Sequence, residues 1–264
     1  MDDATLSDAL ERFTLDGVTI DLWRRGAGNS LLFLHSGDGF ASNDPFLNAL
    51  ARDHEVLAPW HPGFGGSDLP DGWNSVDDLA YFYLDLLDHL ALERVALVGA
   101  SFGGWIAAEM AVRDARRIGR MVLIDPLGIK VGDRTTRDIA DFHGTDPAEL
   151  ERLTWADPDR PKPKLHEMDA DALTRIVRSR EAFAHYGWRP YMHNPVLRRW
   201  LHRVAVPTLV LWGERDGIVS PDYGRAYAVL IPGAGFRAIA GAGHYPHLEQ
   251  ADACVEAVRA FVDG

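Results

Sequence analysis

A single cysteine, Cys254, stands among the 264 residues, so no intramolecular disulfide can form. It falls in a helix-like stretch over 251–262 and reads as a core residue, and such sparing use of cysteine suits a reducing cytoplasm. Basic residues are also in deficit. The 27 Lys and Arg against 39 Asp and Glu leave a formal net charge of −12, which argues against nucleic acid as a partner. No uncharged apolar run reaches the roughly 18 residues of a membrane span. The opening Met1-Asp2-Asp3-Ala4-Thr5-Leu6 lacks the basic and apolar blocks of a signal peptide, so a cytoplasmic location without a membrane partner is expected. The eleven histidines are scattered rather than closely paired, and no metal is expected. Gly63-Phe64-Gly65-Gly66 lacks a following Lys and does not complete Gly-x-Gly-x-x-Gly, which argues against a phosphate-binding loop. Internal repeats and low-complexity segments are missing as well.

What is present is a hydrophobic fraction of 47%, enough for a large core, and a regular alternation of apolar runs. Two short strands over 12–15 and 18–23 are separated by Asp16-Gly17, a hairpin signal. Further strands are expected over 31–34, 55–58, 94–98, 121–124, 208–212 and 236–240, with helices over 75–90 and 102–112 between them. Alternation of this kind predicts an α/β fold with a mostly parallel central sheet flanked by helices. About eighty residues separate the strand ending at Ile124 from the one starting at Thr208, far more than one crossover needs. The division expected is therefore a core formed by 1–126 and 204–264, with a helical cap over 127–203 inserted between core strands. Within the cap, Asp146-Pro147, Asp169 and Asn194-Pro195 each look like a capped helix start, and Asp157-Pro158-Asp159-Arg160-Pro161-Lys162-Pro163-Lys164 reads as an exposed loop.

The chemistry centres on Gly99-Ala100-Ser101-Phe102-Gly103, where an apolar strand stops and an apolar helix begins. A sharp turn from strand to helix crowds the backbone on both sides of the serine, so glycines flank it and its hydroxyl projects. Ser101 is the candidate nucleophile. A serine hydroxyl needs a base and an orienting carboxylate. Asp216 follows the strand over 208–212, and His244 follows the strand over 236–240 in the loop Gly241-Ala242-Gly243-His244-Tyr245-Pro246. Asp125, also at a strand's carboxyl end, competes for the acid role, and His247 for that of the base.

In motif order the chain resembles the α/β-hydrolase family: Leu34-His35 with Gly37 and Gly39, then Pro62-Gly63-Phe64-Gly65-Gly66-Ser67, the Gly-x-Ser-x-Gly turn, the Gly-x-x-Asp loop and the Gly-His-x-Pro loop. The resemblance implies a Ser101, Asp216 and His244 triad and no cofactor. It also implies an oxyanion hole from the backbone N–H groups of Phe102 and Gly37, with Asp38 as the alternative to Gly37. Ser36 stands where the family commonly has Gly, and Trp60-His61 where it often has Asp and a following residue. A serine nucleophile makes the carboxylate-based dehalogenases and epoxide hydrolases unexpected. The expected activity is that of a carboxylesterase-like serine hydrolase on a small, partly apolar ester or related acyl substrate. Alternatives are carbon-carbon bond hydrolysis of the meta-cleavage type, acyl transfer or perhydrolysis, and a non-catalytic ligand receptor. Candidate substrate contacts are His35, Trp105, Trp188, Arg189 and Tyr191, and Phe142, Trp155 and Tyr186 are further cap aromatics. Over 160–203 ten Lys or Arg outnumber four Asp or Glu, and Arg189, set among Trp188, Pro190 and Tyr191, is the expected contact for an acidic substrate group. The expected partner is a small molecule, and the oligomeric state stays open.

Overall fold

Among the described residues, eight strands form one sheet in the order β1-β2-β4-β3-β5-β6-β7-β8. They are β1 Leu10–Leu15, β2 Val18–Arg25, β3 Asn29–Leu34, β4 His54–Pro59, β5 Val95–Ala100, β6 Ile118–Ile124, β7 Thr208–Gly213 and β8 Gly235–Ile239. The helices are α1 Pro45–Leu50, α2 Val76–His89, α3 Phe102–Arg113, α4 Pro147–Thr154, α5 Ala170–Gly187, α6 Leu197–Trp200, α7 Pro221–Leu230, α8 Pro246–Glu249 and α9 Ala251–Val262. The computed structural model describes residues 10–40, 44–162 and 164–264. The leader reading of Met1 to Leu6 lies outside the described residues, as does Pro163 of the proline-rich loop.

The first two strands join through Asp16 and Gly17 at φ 48° and 84°, the pair of left-handed residues that a two-residue hairpin requires. β2 pairs antiparallel with β4, and from β4 to β8 every pairing is parallel. Strands in such a sheet are covered on both faces and therefore read as unbroken apolar runs, as β5 does with all six residues buried. Alternate residues feed two cores. Leu32, Leu34, Leu97 and Leu123 meet α2, α3 and α7 on one face, while Leu31, Phe33, Val98 and Val122 meet α1 and α9 on the other. Cys254 lies fully buried in the second core.

Between β6 and β7 the chain makes α4, α5 and α6. Asp146 caps α4 by accepting from the backbone N–H of Ala148 and Glu149, and Asp169 caps α5 by accepting from Ala172. The third helix differs from expectation. It is a single turn, Leu197–Trp200, because Asn194 Oδ1 accepts from Val196 N in a turn before the helix and does not cap it. This segment is tied to the loops at the carboxyl ends of the strands: Ser179 Oγ accepts from Gly65 N at 3.2 Å, Arg178 donates to Ser67 O at 2.7 Å, and Thr154 O accepts from His244 N at 2.7 Å. No helix among the described residues is long and apolar enough to cross a membrane.

Candidate active site

Ser101 occupies the one residue between the end of β5 and the start of α3, and its backbone sits at φ 51°, ψ −111°. That conformation costs a non-glycine residue on the order of 1–3 kcal/mol and persists only where its surroundings impose it. Here the Ser101 N–H donates to Ile124 O at 2.8 Å, while Ser101 O accepts from Trp105 N and Leu127 N. A Cβ on Gly99 would run into the Gly103 carbonyl, and one on Gly103 into the carbonyls of Leu34 and His35. Glycine at both places lets α3 start against the ends of β3 and β5, leaving the serine side chain on the turn.

Three strand ends deliver the next groups. Ser101 Oγ lies 2.8 Å from His244 Nε2, and His244 Nδ1 lies 2.8 Å from Asp216 Oδ2. The other carboxylate oxygen of Asp216 accepts from Ile218 N at 2.8 Å and Val219 N at 3.0 Å, which fixes the side chain's plane. With Asp216 Oδ2 facing Nδ1 and Ser101 Oγ facing Nε2, the imidazole can donate from Nδ1 to the carboxylate and accept from the serine hydroxyl at Nε2. All three groups are buried. His244 is set by its own backbone bond to Thr154, and Gly243 N donates to Glu249 Oε2 at 2.6 Å.

Asp125 lies behind this array rather than in it. It is fully buried at the end of β6, its Oδ1 accepts from Gly213 N at 3.0 Å, and burial followed by the Asp216 charge pushes its carboxyl well above the usual range. One ligand-type atom each from Asp125, Asp216 and His244 falls within 4.8 Å of the others, a cluster that these hydrogen bonds account for. His247 is packed between the rings of Phe33, Phe46 and Tyr245, and burial lowers its imidazole to about 3.

Gly37 is buried in the loop after β3, and Phe102 is the first residue of α3, where no preceding helical turn offers its N–H a carbonyl. Asp38 is differently engaged: its N–H approaches Ser36 Oγ at 3.4 Å and its carboxylate accepts from Tyr245 OH at 2.8 Å. Aromatic rings close around these positions. Phe183 of α5 lies edge-on to Phe102 and Phe142, so near Gly37 that a Cβ there would fall 2.8 Å from the ring. Phe142 lies 6.3 Å from the His244 ring.

The expected substrate contacts are placed differently. His35 has both ring nitrogens engaged by backbone, Nδ1 with Ser36 O at 2.6 Å and Nε2 with His61 N at 3.0 Å. Trp105 is buried against Gly128 and donates its indole N–H to Glu109, which also accepts from Asn194 and pairs with Arg113. Tyr191 directs its hydroxyl at backbone, donating to Ala140 O and accepting from Phe142 N, so it supports Phe142. Trp188 is 56% exposed and, with Tyr191, Lys130 and His193, borders an outer crevice of about 430 Å³. Arg189 is exposed rather than partly buried, because α5 ends at Gly187 and turns Trp188 and Arg189 outward. Sequence reasoning missed Phe183 and His61. The first lies in an apolar-periodic run that marks a buried helix face but not what that face meets. The second was visible as a departure, Trp60-His61, with no chemical consequence attached.

The model of the alpha/beta hydrolase family matches residues 31–257, and the chain belongs to that family. It is 27% identical to the 2-hydroxy-6-oxo-2,4-heptadienoate hydrolase of Pseudomonas putida, over 93% of each chain. To the 2-hydroxymuconate semialdehyde hydrolase of a Pseudomonas species it is 29% identical, over 89% of this chain and 87% of the relative. Among solved structures it is similar to a meta-cleavage product hydrolase from Pseudomonas fluorescens, with a TM-score of 0.77 at 22% identity over 97% of this chain and 98% of that one. The enol-lactonase from Burkholderia xenovorans gives a TM-score of 0.70 at 24% identity, over 96% of this chain and the whole of the other. At these identities the structural likeness speaks to the fold.

Proposed function

We propose that this alpha/beta hydrolase is a serine hydrolase that cleaves a small, partly apolar ester or related acyl substrate. The observation carrying the reading is the continuous array Ser101 Oγ, His244 Nε2, His244 Nδ1 and Asp216 Oδ2, each contact at 2.8 Å. His244 takes the Ser101 proton as Oγ attacks the acyl carbon, and Asp216 stabilises the imidazolium that forms. The negative charge developing on the carbonyl oxygen is met by the N–H groups of Gly37 and Phe102. Collapse releases the leaving group with the proton from His244, and water, deprotonated by the same imidazole, cleaves the acyl-enzyme. The phenylalanine rings at positions 102, 142 and 183 favour an apolar acyl portion.

The relatives' names favour a second reading. A carbon-carbon bond next to the carbonyl of a vinylogous diketone acid would be hydrolysed by the same array. The fragment leaves as a resonance-stabilised carbanion and takes at carbon the proton that His244 had accepted from Ser101, and water then cleaves the acyl-enzyme. Comparing kcat/KM for short-chain esters and for dienoate acids separates the two. Either reading requires Ser101 as nucleophile for ester turnover. A fluorophosphonate probe is expected to label the wild type but not Ser101→Ala, and the variant to lose on the order of 10³-fold or more in kcat. Equal labelling of both proteins would overturn the assignment.

A further inference from the structure

Behind the loop that carries Gly37, two imidazoles lie against each other in the core, ring centroids 3.6 Å apart and planes tilted by 30°, and the reaction proposed above uses neither. Both His35 and His61 are fully buried. Backbone partners fix the direction of three of the four hydrogen bonds around them, since a backbone carbonyl can only accept and a backbone N–H can only donate. His35 Nδ1 faces Ser36 O at 2.6 Å and must carry a proton, while His35 Nε2 faces His61 N–H at 3.0 Å and must carry none. His61 Nε2 faces His35 O at 3.0 Å and must be protonated. With burial holding His61 neutral, its Nδ1 is bare and accepts from the Tyr83 hydroxyl at 2.5 Å. The donors thus run one way, from Tyr83 on α2 through His61 to His35 and on to the Ser36 carbonyl.

That carbonyl belongs to the peptide whose nitrogen is Gly37 N. It accepts a second bond from Gly39 N at 3.1 Å, so it is held from two sides. In a trans peptide the carbonyl and the N–H point in opposite directions, so anchoring the Ser36 oxygen fixes the direction of the Gly37 N–H. Hydrogen bonds to the oxygen also polarise the amide and strengthen its N–H as a donor. One ring of the pair also abuts the other donor residue, since His61 lies edge-on to Phe102 at 5.9 Å.

We infer that Tyr83, His61 and His35 are positioning residues for the oxyanion hole: through the Ser36 carbonyl they aim the Gly37 N–H at the developing oxyanion. This rests on the serine hydrolase reading. It assigns a role to His61, which follows Trp60, one of this chain's departures from the family pattern, and to Tyr83, a residue of α2.

The test uses Tyr83→Phe, which removes one oxygen from the core, together with His61→Leu and His61→Gln. Each is assayed for kcat, KM, thermal midpoint and inhibition by a trifluoromethyl ketone, whose hydrate-like adduct with Ser101 places an oxyanion in the hole. Because the donor is misaimed rather than removed, His61→Leu should lower kcat by about 10- to 100-fold with KM little changed, and weaken the ketone by a similar factor. Tyr83→Phe should move both quantities in the same direction by less. His61→Gln, whose amide can donate to the His35 carbonyl, should recover part of the loss. Folded His61→Leu with wild-type kcat and ketone affinity would overturn the inference, as would losses that follow the thermal midpoint and leave the ratio of ketone to substrate affinity unchanged. Imidazole ¹⁵N shifts of the wild type provide a check that needs no variant. They should show His35 protonated at Nδ1 and His61 at Nε2, and any other tautomer pair sinks the proposal. The underlying reading fails separately, through a wild type that neither labels with a fluorophosphonate nor turns over any ester, and the inference falls with it.

Discussion

At Ser101 the backbone accepts a positive φ because Gly99 and Gly103 leave room for nothing else, and the side chain is thereby aimed at His244. The choice between two carboxylates is made by placement. Asp216 touches His244 Nδ1, whereas the Asp125 carboxylate accepts from Gly213 N and burial raises its carboxyl well above the usual range. Asp216→Asn is expected to reduce kcat by up to about 10⁴-fold, the cost of losing the orienting carboxylate in a serine triad. Asp125→Asn keeps an oxygen that can accept from Gly213 N and leaves Asp216 against His244, so its kcat should stay within several-fold of wild type. The opposite ranking in folded variants would move the acid role to the end of β6. Both aspartates are visible in the sequence as groups at strand ends, but their order around one imidazole depends on strand neighbours in space. Arg189 teaches the converse lesson: its aromatic neighbours in sequence suggested shelter, yet it lies exposed. Arg189→Ala should therefore alter the hydrolysis of an acidic ester and of its neutral isostere by the same factor. A selective loss of the acidic ester, by about 1.5–3 kcal/mol, would restore Arg189 as a carboxylate contact.

Among the elements, α3 holds the geometry that the chemistry needs, with nearly all its residues buried. Gly103→Ala would push a methyl group into the backbone of β3's end, and backbone cannot rotate away as a side chain can. Loss of activity should accompany destabilisation there, measured by urea unfolding and turnover together. A contrast is available on α2, where Ser75 and Asp78 exchange hydrogen bonds in a capping box. Ser75→Ala should cost about 1 kcal/mol in unfolding free energy while leaving kcat unchanged. A large fall in kcat for Ser75→Ala would mean that the start of α2 communicates with the site. The start of α2 follows directly from its capping box and that of α3 from the glycine-flanked turn at Ser101. The short α6 does not, because Asn194 serves a turn there.

Across the whole molecule, buried imidazoles couple stability to pH. His35 and His247 are held at about 3 by burial against an ordinary value near 6.5, so the native state resists protons that the unfolded chain binds. Their contribution is fully present above pH 6.5 and is lost as pH falls towards 3. Asp44 acts in the opposite sense. Burial raises it to about 6, so its native state keeps a proton that the unfolded chain releases, and its contribution is lost as pH rises from about 4 to 6. Because these opposing groups overlap, a difference measurement is the clean test. The gap in unfolding free energy between wild type and His247→Gln should narrow between pH 7.5 and pH 5, by up to about 2 kcal/mol. A gap constant with pH would mean that His247 takes up a proton in the folded protein.

The sequence alone determined the run of strands and helices, since apolar periodicity, capping side chains and glycine turns act over a few neighbouring residues. It also pointed to Ser101, Asp216 and His244 as candidates, because a residue at the end of a parallel strand is delivered to the same rim wherever its strand lies in the sheet. Tertiary structure decided what meets what at that rim. The order β3-β5-β6-β7-β8 set Asp216 rather than Asp125 against His244, α5 brought Phe183 onto Gly37, and hydrogen bonds joined His61 to His35 across 26 positions of sequence. Such contacts depend on packing between segments distant in the chain, and no local pattern of residue types encodes which ring or carboxylate will be the neighbour.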